Sequence, residues 1–255
     1  MIYKIEQSEM VAPFFADWKE TIIWSCLGNV MGSLYANAVQ NPGAAMALLG
    51  DFCFLAGEPD EEIVRYKPEG CRQDFIIMIP RNAEWAEMIE KCRKEKAVKV
   101  TRYAMKKEPE IFDRAYLQRL VETLPHEYSV KMIDRNLFCQ CKEIPWCVDL
   151  VSQYTDYEAY QKHGLGAVIL KNREIISGAS SYSAYPGGIE IEIDTKAEYR
   201  RKGLAGVCGA RLILECLKRG LYPSWDAQNQ ISVTLAEKLG YHLDYEYTAY
   251  EIRGY

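Results

Sequence analysis

The sequence predicts an α/β protein, a mixed sheet flanked by helices, built in two halves. Three observations lead there. Segments with a period of two alternate with segments of period three to four along the whole chain. The pattern restarts after Pro125, which puts the boundary between residues 1–125 and 126–255. Hydrophobic residues make up 49% and charged ones 26% of 255 residues, enough apolar material for a sizeable core and too much for a disordered chain.

In the first half, "FFADWKETIIWSCLGN" (14–29) reads as a helix ending near Gly28. "DFCFLAG" and "QDFIIMIP" read as buried strands bounded by glycine, acidic turns and Pro80. Residues 82–97 form a helix pattern: Asn82 can cap it, Glu84 and Glu87 come early, and Arg93, Lys94 and Lys96 come late, as the helix dipole favours. "VKVTRYAM" (98–105) is a strand pattern and "DRAYLQRLVETL" (113–124) a helix.

In the second half, "YSVKMID" is a short strand and 146–164 is helical in tendency, closing at Gly164. "GAVILKNREIISGASSYSAY" is a hairpin with its turn at "KNRE". "GGIEIEIDT" alternates strictly, placing Ile189, Ile191 and Ile193 on one face and Glu190, Glu192 and Asp194 on the other. A helix follows over 203–220, with Leu204, Cys208, Leu212 and Cys216 at four-residue steps. "PSWDA" is a short strand, "NQISVTLAEKLGY" a helix with Ile231, Leu235 and Leu239 aligned, and "LDYEYTAYEI" a last strand.

Composition narrows function. A net charge of -5 argues against general attraction to nucleic acid or an anionic membrane. The N-terminus lacks the basic-then-apolar order of a secretory signal and no apolar run approaches bilayer length, so a cytoplasmic location is expected. The nine cysteines lie mostly in periodic segments and read as reduced core residues. Cys139, Cys141 and Cys147 offer three soft ligands, but without paired C-x-x-C knuckles or a nearby histidine no metal is assigned. His126, His163 and His242 are scattered and receive no role.

The chemistry concentrates at "EIDTKAEYRRKGLAG". A strand feeding a glycine turn and a long helix makes an anion site, because first-turn N–H groups and the positive end of the helix dipole face the turn. Arg200, Arg201 and Lys202 add charge. The spacing is neither that of a Walker loop nor that of a Rossmann turn.

"RRKGLA" resembles the Arg/Gln-x-x-Gly-x-Gly/Ala signature of the GNAT superfamily of acetyl-CoA-dependent N-acyltransferases, with Arg200, Gly203 and Ala205 in its defining places. The preceding strand, the long helix, "SWDA" and the Asn-led helix ending in Gly-Tyr match the superfamily's order over about 126–255. Within it, "PSWDAQNQIS" with "AEKLGY" and an extra N-terminal half resembles the branch that includes zwittermicin A resistance acetyltransferases.

The resemblance implies that residues 189–195 and 223–227 splay apart to admit the pantetheine arm of acetyl-CoA. Its pyrophosphate would lie on the amides of Arg201, Lys202, Gly203, Leu204 and Ala205. Ile193, Thr195 and Asn229 would line the arm, and an amide around Ile193–Thr195 would face the thioester oxygen. The implied reaction is acetyl transfer to an amine, with Glu192, or next Glu190, as base. The superfamily's usual acid is a tyrosine one place after the residue matching Leu235; here it is Ala236. The leaving thiolate, with a thiol pKa of about 8.5, can depart without an acid, and Tyr182, Tyr185 or Tyr241 could substitute for the missing tyrosine.

The implied acceptor is a small amine, including an antibiotic or metabolite amine, shaped by the first half. Two other outcomes follow from the same residues: a non-catalytic acyl-CoA-binding sensor, which Ala236 keeps open, or an acetyltransferase of protein amines.

Overall fold

The computed structural model describes residues 1–255 and separates into two compact units, residues 1–102 with 246–255, and residues 103–245. The division therefore does not fall at Pro125. The reason is long-range packing: the helix over 114–122 lies on the helix over 204–218, and a Cβ at Gly206 would stand 3.9 Å from Leu120.

In unit 1 the order is β1 (Tyr3–Ile5), α1 (Thr21–Leu27), β2 (Ser33–Ala36), β3 (Ala44–Leu49), β4 (Phe52–Gly57), α2 (Glu61–Arg65), β5 (Phe75–Pro80), α3 (Ala83–Arg93) and most of β6 (Ala97–Met105). The sheet runs β1-β2-β3-β4-β5, antiparallel except for the parallel pair β4 and β5. Residues 250–253 close it against β5. Met46, Leu55, Ile63, Ile76, Met78, Trp85 and Tyr250 form its core, where mutual burial supplies most of the stability.

The helix expected over 14–29 begins only at Thr21. The chain before it forms only a short 3-10 turn over Ala12–Phe15, and Asp17 has φ 63°, a left-handed conformation that no helix continues through. Asn82 caps α3 by accepting the Trp85 N–H at 3.0 Å, and Lys94, at φ 51°, ends it short of residue 97.

In unit 2 the order is α4 (Arg114–Glu122), β7 (Ser129–Met132), α5 (Arg135–Glu143), α6 (Tyr157–His163), β8 (Gly166–Lys171), β9 (Glu174–Tyr185), β10 (Gly188–Thr195), α7 (Leu204–Lys218), β11 (Tyr222–Ser224), β12 (Asp226–Ala227), α8 (Gln230–Lys238) and the start of β13 (Leu243–Arg253). Its sheet is β11-β10-β9-β8-β7, antiparallel except where β11 runs parallel to β10. The hairpin turn falls at Asn172 and Arg173, with φ 51° and 69° as a two-residue turn of this hand requires.

The stretch 146–164 is not one helix. Residues 148–150 form a 3-10 turn and α6 starts only at Tyr157, where Asp156 accepts the Ala159 N–H at 2.8 Å; α5, capped by Asp134, was not foreseen. The aligned face expected of α8 is also wrong. Ile231 is 83% exposed, and Val233, Ala236 and Leu239 are the buried residues.

α7 packs on β8, β9 and β10 through Leu204, Val207, Cys208, Leu212, Ile213 and Cys216. Gly209 is a close-approach position: a Cβ there would lie 2.7 Å from Leu239 Cδ1 and 3.3 Å from Ile193 Cδ1. All nine cysteines are free thiols, seven of them buried, while Cys139 is exposed. No helix is long and apolar enough to cross a membrane.

Candidate active site

The site is built on a fork in unit 2. β10 and β11 pair in parallel at Gly188 with Tyr222, Ile189 with Pro223 and Glu190 with Ser224, and there the pairing stops. β10 stays with β9 as far as Thr195 opposite Ser177, while the other strand breaks at Trp225 and continues as β12, pairing with Tyr103 and Ala104. The expected single strand "PSWDA" is thus two strands on different partners. Trp225, 4% exposed, holds the bend: its Nε1–H donates to Ser232 Oγ at 3.1 Å and its ring meets that of Tyr241 edge-on at 5.5 Å. The inner edge of residues 191–195 has no neighbouring strand.

At the end of β10 the chain makes a 3-10 turn over Ala197–Tyr199 and a tight loop into α7. Arg201 has φ 62° and Gly203, the N-cap, φ 79°. Glycine takes that conformation at little cost, and no side chain caps the helix, so its first-turn amides keep their donors directed out of the loop. A Cβ at Gly203 would meet nothing within 4 Å, so the space in front of the loop is open.

Arg200 turns back onto β10. Its Nε–H donates to the Thr195 carbonyl at 3.0 Å and its guanidinium lies 3.5 Å from Asp194 Oδ1, bracing the loop against the strand. Arg201 and Lys202 are exposed, with Lys202 Nζ 4.6 Å from the centre of the Tyr199 ring. Leu204 buries its side chain and Ala205 is half-buried, so both face the loop by their amides. On β10, Ile193 reaches towards Gly209 of α7, and Thr195 shares a 2.7 Å hydrogen bond with Ser177. The Thr195 N–H donates to Asp194 Oδ1 at 2.6 Å. Asn229 caps α8, accepting from the Ile231 and Ser232 N–H groups at 3.0 Å each.

The two candidate carboxylates differ in setting. Glu192 is half-buried on the open arm of the fork; Glu190 is 7% exposed, at its apex. Opposite the apex the register slips, β9 passing from Ser183 to Ser181 so that Tyr182 has no residue across from it. The phenols around Glu190 are committed. Tyr241, 1% exposed, donates to the Pro223 carbonyl at 2.6 Å, and Tyr185 donates to the Tyr222 carbonyl at 3.3 Å. Burial, with the Glu190 charge adding to it, pushes the Tyr185 hydroxyl well above its usual range; burial pushes Tyr222 up to about 12. Tyr241 is therefore a poor source of a catalytic proton. Ala236, at the position where the resemblance implies a tyrosine, is fully buried.

Glu190, Glu192, Ile193 and Thr195 lie on β10 and Arg200 to Ala205 on the turn and helix start that follow it, while Asn229 opens α8. What sequence reading missed are Trp225 as the branch point and two buried serines, Ser183 and Ser224, beside Glu190 in register.

Comparison with known proteins agrees with this geometry. A family model described as GNAT acetyltransferase matches residues 12–250, reaching well before residue 126. The crystal structure of a GCN5-related N-acetyltransferase-like protein from Streptococcus suis 89/1591 is 49% identical, with a TM-score of 0.92, over 97% of this chain and 99% of that one. An uncharacterized N-acetyltransferase of Bacillus subtilis (strain 168) is 26% identical over 203 residues, 77% of this chain and 71% of the relative. A tandem GNAT protein from the clavulanic acid biosynthesis pathway, 8% identical, shares the fold with a TM-score of 0.55 over 100% of this chain and 99% of its own.

Proposed function

The chain belongs to the GNAT acetyltransferase family, N-acetyltransferases that use acetyl-CoA as co-substrate, and from that premise we propose that it acetylates an amine of a small molecule by direct attack, with a carboxylate of β10 as base. One observation carries the reading: β10 and β11 part after the Glu190–Ser224 pair, directly before an uncapped helix opened by glycine.

In this reading the amides from Arg201 to Ala205 hold the pyrophosphate, Arg201 and Lys202 supply exposed positive charge, and Arg200 braces the loop rather than touching the coenzyme. Asn229 orders the first turn of α8 beside the arm. An amide on the open edge of residues 191–194 faces the thioester oxygen, where such a fixed donor is typically worth a few kcal/mol. The Thr195 amide is excluded from that role because Asp194 occupies it.

When bound, acetyl-CoA supplies a thioester whose sulfur, with a thiol pKa near 8.5, departs tolerably without a proton. The protein's own task is to take the proton of the acceptor. An alkylammonium is neutral at pH 7 only on the order of one time in a thousand, so a positioned base is worth several powers of ten. Glu192, half-buried on the open arm, is the residue best placed to serve a substrate entering the fork. A row of acids on this face also suits a cationic acceptor, such as an amine-bearing antibiotic or metabolite.

The test is thiol release from acetyl-CoA with a panel of small amines, aminoglycoside-like compounds among them, beside lysine-containing peptides. Release well above hydrolysis with a small amine is expected. Release with peptides alone would move the acceptor to protein amines.

A further inference from the structure

The register of the sheet sets three polar side chains in one row across neighbouring strands: Ser183 of β9 and Ser224 of β11 both pair with Glu190 of β10. Residues directly paired across strands present their side chains to the same face, so both hydroxyls flank the carboxylate. Ser183 is 0% and Ser224 1% exposed, and neither Oγ has a hydrogen-bond partner in the protein. Buried hydroxyls are nearly always bonded, and alanine would fill these positions without leaving an unpaired oxygen. The nearby phenols do not supply the missing bonds: Tyr241 and Tyr185 donate to the Pro223 and Tyr222 carbonyls, and Tyr222 donates to the Lys106 carbonyl at 3.0 Å. The row also sits at the last paired residues before the strands part, next to where an acyl group in the fork would lie.

We infer that Ser183 and Ser224 are positioning residues that hold ordered water against the Glu190 carboxylate, forming a relay through which the acceptor's first proton leaves the fork. A buried water needs two to four polar partners, and this row provides them around one carboxylate. The inference rests on the reading of the chain as an amine acetyltransferase and adds to it a path from the open fork to the buried apex. The step balances. The acceptor ammonium gives a proton to Glu192, which hands it to the water, and the water passes one of its own to Glu190. The freed nitrogen forms the bond to the acetyl carbon, the carbon–sulfur bond breaks with its electron pair on sulfur, and the second nitrogen proton neutralises the thiolate. Glu190 returns its proton to solvent by the same water, so one proton is released per turnover.

The experiment measures kcat and KM with acetyl-CoA and an accepted amine from pH 7 to 10 for wild type, Ser183→Ala, Ser224→Ala, Ser224→Cys, Glu190→Gln, Glu192→Gln and Ser224→Ala/Glu190→Gln, with Tm for each. Removing an unpartnered hydroxyl should move Tm by less than about 3 °C. Each alanine variant should lose about tenfold in kcat at pH 7, with KM for acetyl-CoA unchanged, and only about two- to threefold near pH 10, where roughly a quarter of an alkylamine is already neutral. Ser224→Cys, which keeps the volume and a weak donor, should lose less, and Ser224→Ala should cost nothing further in the Glu190→Gln background. Wild-type rates in both alanine variants, or a loss equal at all pH values, would overturn the relay. An inert Glu190→Gln beside a damaged Glu192→Gln overturns it while leaving the acetyltransferase reading intact. A wild-type chain that binds acetyl-CoA and releases thiol to no amine overturns both.

Discussion

The two units share a plan and differ at one place. Each has an antiparallel meander that ends in a parallel pair, β4 with β5 and β10 with β11, and each pair is followed by a helix capped by asparagine, Asn82 or Asn229. In unit 1 the pair holds through Leu55 opposite Pro80. The helix between its strands, α2, has five residues, and Asp60 caps it by accepting the Ile63 N–H at 3.2 Å, with Glu61 and Glu62 in its first turn. In unit 2 the pair opens after three residues, and the helix between its strands has fifteen residues, glycine at its N-cap and no acid in its first turn. The same scaffold presents a helix start already filled by carboxylates in one unit and one free to receive an anion in the other. The difference lies in two loops, "EPDEE" and "YRRKG", and in whether a strand changes partners.

If the fork is what separates the units, the residue at its branch should matter most. Trp225→Ala removes a buried ring and its bond to Ser232, at a cost of about 3–5 kcal/mol, lowering Tm by roughly 6–20 °C in calorimetry. An unchanged Tm would mean that the departing strand is held elsewhere. The next largest effect makes unit 2 resemble unit 1 at its helix start. Gly203→Glu puts a bulky residue at φ 79°, a strain of about 1–2 kcal/mol, and a carboxylate where phosphate would lie. Acetyl-CoA affinity in titration calorimetry should fall about 100-fold, on the order of 3 kcal/mol, while Gly203→Asn, which tolerates the left-handed conformation, stays near wild type. The wild-type titration should give one acetyl-CoA per chain, since unit 1 offers no such cradle. Two would erase the contrast between the units.

A smaller effect is expected at the carboxylate of the open arm. Glu192→Gln should lower kcat at pH 7 by about 30-fold and by only a few-fold near pH 10, where roughly a quarter of an alkylamine is already neutral. A loss that does not depend on pH would assign Glu192 to binding.

Local chemistry was legible in the sequence, and pairing was not. The glycine turn, the hairpin turn within "KNRE" and the cap at Asn82 each depend on a few neighbouring residues, and each lies where the pattern puts it. α5 was missed although Asp134 announces it, because its apolar positions merge with the stretch that follows. The periodic run around Trp18 does not start a helix, since one residue in a left-handed conformation, Asp17, interrupts a pattern that composition alone would continue. The branch at Trp225 was hidden because a strand that changes partners reads as one strand. Ser183 and Ser224 were silent for the same reason: they lie far apart in sequence and acquire meaning only when register puts both beside Glu190. The unit boundary depends on α4 finding α7, a contact no local pattern encodes.

The smallest effect tests the two asparagines as a matched pair. Asn82 accepts the Trp85 N–H at 3.0 Å, and Asn229 accepts two N–H groups at 3.0 Å each, so each satisfies donors that would otherwise be left open at a helix start. Asn82→Ala and Asn229→Ala should therefore each cost about 1 kcal/mol of stability in denaturant unfolding. Only Asn229 opens the helix that follows the fork, so only Asn229→Ala should also raise KM for acetyl-CoA, by about threefold. Asn82→Ala should leave KM alone, because the paired strands in front of α3 leave no opening for an arm. Equal effects on KM would mean that the asparagines act through stability alone, and the parallel between the units would then be one of folding without any division of labour.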